Sequence, residues 1–273
     1  MRKTLKKTAE YLGLIPTIDA IRNKWGFGWK DFKSTADNFV FLATNPSFVP
    51  PPRELAIDAY GHNKWREYHL LGLESAQLFG NLILKYQPKE KLQILDWGCG
   101  SMRVLRHLPK VLDSKKCQFY GTDYNPDTIK WCKKNFKKFN FALNGLSPPL
   151  PFEANSFDVI YGLSVFTHLS KKSHAEWIKE LERVLKPGGI LILTTHGDNF
   201  IGMLSDKERK LYEANELVIR ELAAEGKRDF TAFHPPQYIK DKFFSHFNIL
   251  HHMNAPKDIK VKQDIWVVQK KDK

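Results

Sequence analysis

The sequence predicts an α/β domain built on a parallel sheet, and three observations predict it. Short apolar runs recur along residues 92–269, each bounded by glycine, proline or polar residues. The stretches between most of them carry apolar residues at helical spacing. The first run ends in a glycine turn that opens directly into such a stretch, LQILDWGCGSMRVLRH at residues 92–107. Strands that alternate with helices pair in parallel, because each crossover brings the next strand back in the same direction.

Residues 1–50 read as an aromatic, irregular extension with short helices at Thr4–Leu12 and Pro16–Trp25. Trp25, Phe27, Trp29, Phe32, Phe39 and Phe41 are too many large apolar groups for a disordered tail and are expected to dock on the main domain or form a lid. Pro50, Pro51 and Pro52 make a stiff joint. A helical stretch follows, broken at Gly61 and resumed from Lys64 to Tyr86, with Leu70, Leu71, Leu78, Leu82 and Ile83 as its apolar side. The first strand, Leu92–Leu95, runs into Asp96, and the second, residues 118–123, ends in Asp123. Asn125 caps the next helix with Pro126 at its first position, and lysines gather near its end, where the helix dipole favours them.

A third strand at Phe139–Leu143 and a fourth at Phe157–Leu163 flank the loop NGLSPPLPF. Ser173 and Glu176 have the spacing of a capping box and open a helix through Trp177, Leu181, Val184 and Leu185. Pro187, Gly188 and Gly189 stop it, and Ile190–Thr195 is a fifth, wholly apolar strand. An insertion at 197–229 carries a helix around Asp206–Ala224. A helix at Gln237–Phe244 and strands at Phe247–Met253 and Ile265–Gln269 complete the chain. The expected division is therefore an N-terminal extension and helical lid at 1–90 and a cofactor-binding domain at 91–273.

A chain of 273 residues suits one or two domains, and 42% hydrophobic with 27% charged residues is ordinary for a globular protein. No apolar run reaches the roughly 18 residues of a membrane span. The basic amino terminus has only Tyr11–Ile15 as an apolar piece, too short for a secretory signal. Cys99, Cys117 and Cys132 are odd in number and lack paired spacing, which suits a reducing cytoplasm, and no Cys/His cluster has zinc spacing. The formal charge of +13 is scattered over the amino terminus, residues 130–138 and the carboxyl terminus, the pattern of solvated faces. An acidic substrate or a peripheral membrane contact through residues 1–30 stays open.

The turn after the first strand carries the chemistry. Glycine lets the chain reverse and lets backbone approach a ligand that a Cβ would push away. A dinucleotide fingerprint needs a third glycine where Arg103 stands, and the Gly-Lys-Ser/Thr of a phosphate loop is absent. An acid followed by a loose G-x-G turn, Asp96 with Gly98 and Gly100, better describes an adenosylmethionine site, although many structural turns carry the same glycines. Asp123, closing the next strand, is placed to accept hydrogen bonds from ribose hydroxyls.

ILDWGCG, YGTDYNP, LPFEANSFDVIYGLSVFTHL and ELERVLKPGGILILTTHG occur in this order over about residues 92–197. As a set they resemble the class I S-adenosylmethionine-dependent methyltransferases, most closely the small-molecule branch. The resemblance implies a Rossmann-like, seven-stranded, mostly parallel sheet with helices on both faces and an antiparallel last strand. It implies S-adenosyl-L-methionine as cofactor. Asp96, Gly98 and Gly100 would line the methionine and ribose side, with Asp123 on the ribose. Tyr124 would flank the adenine, Asn144 and Gly145 would face its edge, and Ser164 would lie near the methionine end. Arg103 would reach the cofactor carboxylate or form a surface ion pair. The sequence departs from the pattern at Met102, where the family often has glycine.

The expected function is methyl transfer to oxygen or nitrogen of a small-molecule or glycan-type acceptor. Tyr60 and Phe166 are candidates for an aromatic face toward the cationic sulfur. His168 and His196 follow strands four and five on the carboxyl edge and are candidate bases, and His234 sits in a cover segment, AFHPP. Each histidine has an equally simple structural reading, hydrogen-bonding backbone to hold its loop. Nucleic acid is the alternative acceptor; SVFT at the end of strand four is not the N/D-P-P-Y of amino-methylating enzymes, no Pro-Cys nucleophile occurs and no RNA-binding module is evident, so nucleic acid is expected to be unlikely. A third reading is a non-catalytic, cofactor-binding partner subunit.

Overall fold

The computed structural model describes residues 29–89, 91–113, 115–255 and 261–272, with backbone only for 29–33. The helices expected at Thr4–Leu12 and Pro16–Trp25 lie outside these residues. Helices α1 (Trp29–Thr44), α2 (Arg53–Tyr60) and α3 (Trp65–Tyr86) precede β1 (Leu92–Trp97). Then come β2 (Cys117–Asp123), α4 (Pro126–Asn135), β3 (Asn140–Leu143), β4 (Phe157–Gly162), α5 (Lys171–Val184) and β5 (Leu185–Thr195). The last third holds α6 (Asp206–Glu213), β6 (Val218–Glu221), β7 (Phe230–Phe233), α7 (Pro236–Lys242), β8 (Phe247–Met253) and β9 (Asp264–Lys270).

Seven strands form one sheet in the order β3-β2-β1-β4-β5-β9-β8, and β6 pairs with β7 in a separate hairpin. The pairs from β3 to β5 are parallel, and β9 runs antiparallel to both β5 and β8. The strand order reverses direction between β1 and β4, so the carboxyl ends of these two strands flank the crevice where open α/β sheets take ligands. Successive side chains of a strand point to opposite faces. Thus Ile94 joins a core layer with Phe79 and Ile83 of α3, while Leu95 joins one with Trp177 and Leu181 of α5.

Of the described residues, 29–50 with 63–67 make one compact unit, and those of 51–62 and from 68 onward make the other. Helix α2 and most of α3 fall in the unit that holds the sheet. In the smaller unit, Asn38 of α1 accepts the Trp65 backbone N–H at 2.8 Å and donates to the Asn63 carbonyl at 2.7 Å. Among the described residues no helix is long and apolar enough to cross a membrane.

Several local expectations are corrected. The part of residues 1–50 that is described is not irregular, because α1 spans sixteen residues of it. The glycine turn leads into a short 3-10 segment, Leu105–Lys110, rather than an α-helix; it has Pro109 inside it, which cannot donate to an α-helical ladder. Ser170, not Ser173, caps α5, and the capping box with both hydrogen bonds is Ser205 with Glu208 at α6. The helix expected to reach Ala224 stops at Glu213. Left-handed Asn215 (φ 64°) turns the chain there, and Val218 and Ile219 suit a strand better than a helix.

Met102 is also left-handed, with φ 71°, and fully buried in the α3 side of the core. Its side chain therefore points away from the crevice, and the missing glycine costs backbone strain rather than ligand space. A glycine would relieve roughly 1–2 kcal/mol of that strain, whereas deleting a buried methionine side chain costs about 2–5 kcal/mol. Packing wins, so Met102→Gly is expected to lower the unfolding free energy by about 1–3 kcal/mol in urea titration.

Candidate functional site

The crevice at the carboxyl ends of β1 and β4 holds a cavity. Its floor is the glycine turn after β1, where Gly98 and Gly100 have φ of 77° and 49°. Side chains rarely adopt such angles, and a Cβ on Gly98 would stand 2.5 Å from Val165. The turn is stapled to β2 by the N–H groups of Gly98 and Cys99, which donate to the Thr122 carbonyl at 2.9 and 2.8 Å. Asp123 completes the join, accepting the N–H of Gly100 on one oxygen at 3.0 Å and that of Asn125 on the other at 2.9 Å.

Tyr124, Asn144, Gly145 and Leu146 form one wall, and Leu163, Ser164, Val165, His168 and Trp177 another. Helix α2 supplies Asp58, Ala59 and Tyr60, and the loop before β7 supplies Gly226 and Arg228. These two segments are fastened together: Lys227 reaches both carboxylate oxygens of Asp58 at 2.9 and 3.2 Å, and Arg228 donates to the Ala59 carbonyl at 3.3 Å. The Tyr124 hydroxyl donates to the Gly226 carbonyl at 3.1 Å. The Arg103 guanidinium lies 4.3 Å over the Tyr60 ring.

Of the cofactor residues expected from sequence, the cavity wall brings together Gly98, Gly100, Arg103, Asp123, Tyr124, Asn144, Gly145 and Ser164. Asp96 is not in that wall. It is buried, and burial pushes its carboxyl up to about 7, countered by the Tyr161 hydroxyl and reinforced by the charge of Asp123. Burial also raises Asp123, to about 6, against the two backbone N–H groups that favour its charged form.

The three candidate histidines separate. His168 lines the cavity, and its Nδ1 lies 2.8 Å from the Phe230 carbonyl, so Nδ1 donates and Nε2 carries the lone pair. Burial lowers its pKa. His196 is outside the wall; its Nδ1 faces the Ala232 carbonyl at 3.1 Å, its Nε2 faces the Gln263 amide at 3.1 Å, and burial lowers it to about 4. With both nitrogens taken by protein groups, it tethers the β6–β7 hairpin. His234 is fully buried, 3.0 Å from the Nε2 of His174. Tyr60 lines the cavity, whereas Phe166 is buried in the core, stacked on His174. Sequence reasoning missed Asp58, Lys227 and Arg228; the contacting residues are 169 positions apart and no local pattern links them.

The fold resembles that of an S-adenosylmethionine-dependent methyltransferase from Methanosarcina mazei, with a TM-score of 0.53 and 23% identity over 70% of this chain and 98% of that one. Residues 95–193 match the family described as a methyltransferase domain. Residues 95–193 are thus a methyltransferase domain, set in a seven-stranded sheet of the class I kind. It is 26% identical over 150 residues to the sterol 24-C-methyltransferase of Schizosaccharomyces pombe, covering 50% of this chain and 38% of that protein. It is 29% identical over 149 residues to the tRNA N(3)-methylcytidine methyltransferase of the same organism, covering 51% and 48%. The chain spans less than half the length of these curated relatives. With a tRNA enzyme among them, the expectation that nucleic acid is an unlikely partner is not supported.

S-adenosyl-L-methionine is the cofactor of such a methyltransferase domain, and the wall has groups that fit it. Two buried polar atoms in it have no hydrogen-bond partner among the described residues, Asn144 Oδ1 and Arg103 Nε. One is an acceptor, matching the exocyclic amine of adenine, and the other a cationic donor, matching the methionine carboxylate. Asp123, between them in sequence, has lone pairs left on both carboxylate oxygens that would accept from a ribose diol. An ionised carboxylate accepts from ribose hydroxyls more strongly than a protonated one, so affinity for S-adenosyl-L-methionine is expected to be level above pH 7 and to fall as pH drops through about 6. Calorimetry across this range checks it, and Asp123→Asn should both weaken binding and remove that dependence.

Proposed function

We propose that this chain transfers a methyl group from S-adenosyl-L-methionine to oxygen or nitrogen of a small-molecule or glycan-type acceptor, with His168 as general base. When bound, the cofactor supplies an electrophilic methyl group on a sulfonium. The protein's share is to hold the acceptor in line with that methyl group, and positioning of this kind is worth roughly 7–11 kcal/mol. His168 carries the reading: among the three candidate histidines it alone lines the cavity, and the bond from Nδ1 to the Phe230 carbonyl leaves Nε2 as the proton acceptor. Its lowered pKa keeps the imidazole neutral, hence competent as a base, at and somewhat below neutral pH.

The roof supports a compact acceptor. Helix α2 and the loop at 222–229 meet over the glycine turn through Lys227 and Arg228, which suits a molecule that fits beneath them better than a helical nucleic acid. A basic balance of +13 and a tRNA-modifying relative favour RNA as the second reading. His168→Ala is expected to lower turnover on the acceptor by at least about 100-fold while leaving cofactor affinity within about twofold. Unchanged turnover would remove His168 as base. Methyl transfer to RNA, with binding that weakens steeply as salt rises, would replace the small acceptor.

A further inference from the structure

Ser164 follows β4 at the cavity wall with φ 63°, a conformation that costs an L residue energy unless its surroundings hold it there. A closed ring of hydrogen bonds does so. The Ser164 N–H donates to Thr194 Oγ1 at 2.8 Å, and Thr194 Oγ1 donates to Gln263 Oε1 at 2.6 Å. Gln263 Nε2 then donates back to Ser164 Oγ at 2.8 Å. The amide's second N–H points to His196 Nε2 at 3.1 Å, so both its hydrogens are used. The Ser164 hydroxyl passes its own proton toward Thr167 Oγ1 at 2.8 Å, since the Thr167 hydrogen goes to the Ser164 carbonyl at 2.9 Å.

Gln263 stands immediately before β9 and 99 positions from Ser164. It reaches across β5 to the end of β4, and nothing in the methyltransferase motifs points to it. The neighbour of Ser164, Val165, lies against Gly98, where a Cβ would come within 2.5 Å of it. The backbone angle at Ser164 thus sets how closely the turn after β4 approaches the glycine turn, and so the width of the cavity between them.

We propose that Gln263 is a positioning residue of the cofactor cavity, acting by holding Ser164 in its left-handed conformation. The claim rests on the cofactor reading of this cavity, and its test separates the two. Glycine adopts φ near +60° freely, so Ser164→Gly removes the need for the clamp without removing Gln263. Gln263→Leu, in the otherwise native protein, is expected to weaken S-adenosyl-L-methionine about tenfold by calorimetry and to lower the midpoint of urea unfolding. In the Ser164→Gly background the same change should cost less than about twofold in affinity and shift the midpoint less. Gln263→Glu, which keeps the acceptor for Thr194 and lacks the donor to Ser164, should behave like Gln263→Leu and serves if that variant does not fold. Equal losses in both backgrounds, or no loss of affinity in the native background, overturn the clamp. Absence of heat in the native protein overturns the cofactor reading instead, and the clamp then stands or falls on the unfolding cycle alone.

Discussion

Everything at the crevice depends on one carboxylate. Asp123 closes β2, yet its two oxygens are taken up by backbone N–H groups of Gly100 and Asn125. The first of these ties the turn after β1 to the end of β2; the second sets the chain for Pro126 and the start of α4. The carboxylate thereby fixes the floor of the cavity before any ligand arrives. Such groups ordinarily lose charge when buried, and Asp123 shows the pull of both effects: burial raises it to about 6, and the two N–H groups hold it from rising further.

The α/β pattern was legible because periodicity is local. A short apolar run such as Ile190–Leu193, bounded by Gly188 and Gly189, reads as a buried strand, and the Asn125–Pro126 start of α4 declares itself in two residues. That Gly98, Gly100 and Asp123 line one cavity was legible for a related reason: they sit at strand ends, whose place in a parallel sheet is fixed by topology. Where tertiary context decides, the residues are silent. Asp96 has the motif position of a ligand-binding acid but is buried away from the wall, and His196 has the position of a base but spends both nitrogens on Ala232 and Gln263. Residues 218–221 read as the end of a helix, although Val218 and Ile219 favour a strand, because the partner that makes them one, Phe230–Phe233, lies outside any local window.

The histidines make the same point about chemistry. His168, His174, His196 and His234 all have depressed pKa values, with burial as the leading cause in each. A neutral imidazole has one donor and one acceptor, which makes it a directional link between backbone segments. His168 uses one end for Phe230 and turns the rest of its ring to the cavity, while His174 and His234 face each other in the interior. Scaffold and site draw on one residue type, told apart only by which nitrogen remains available.

The fastening of Lys227 to Asp58 has an energetic corollary. Both side chains are substantially exposed, 47% and 39%, and pairs in such surroundings contribute about 1 kcal/mol or less. The opposite side, built on strand ends, backbone hydrogen bonds and fully buried aromatics, yields only if the sheet itself comes apart. The join between α2 and the loop at 222–229, held by exposed contacts of this kind, is therefore the part of the cavity wall that costs least to open.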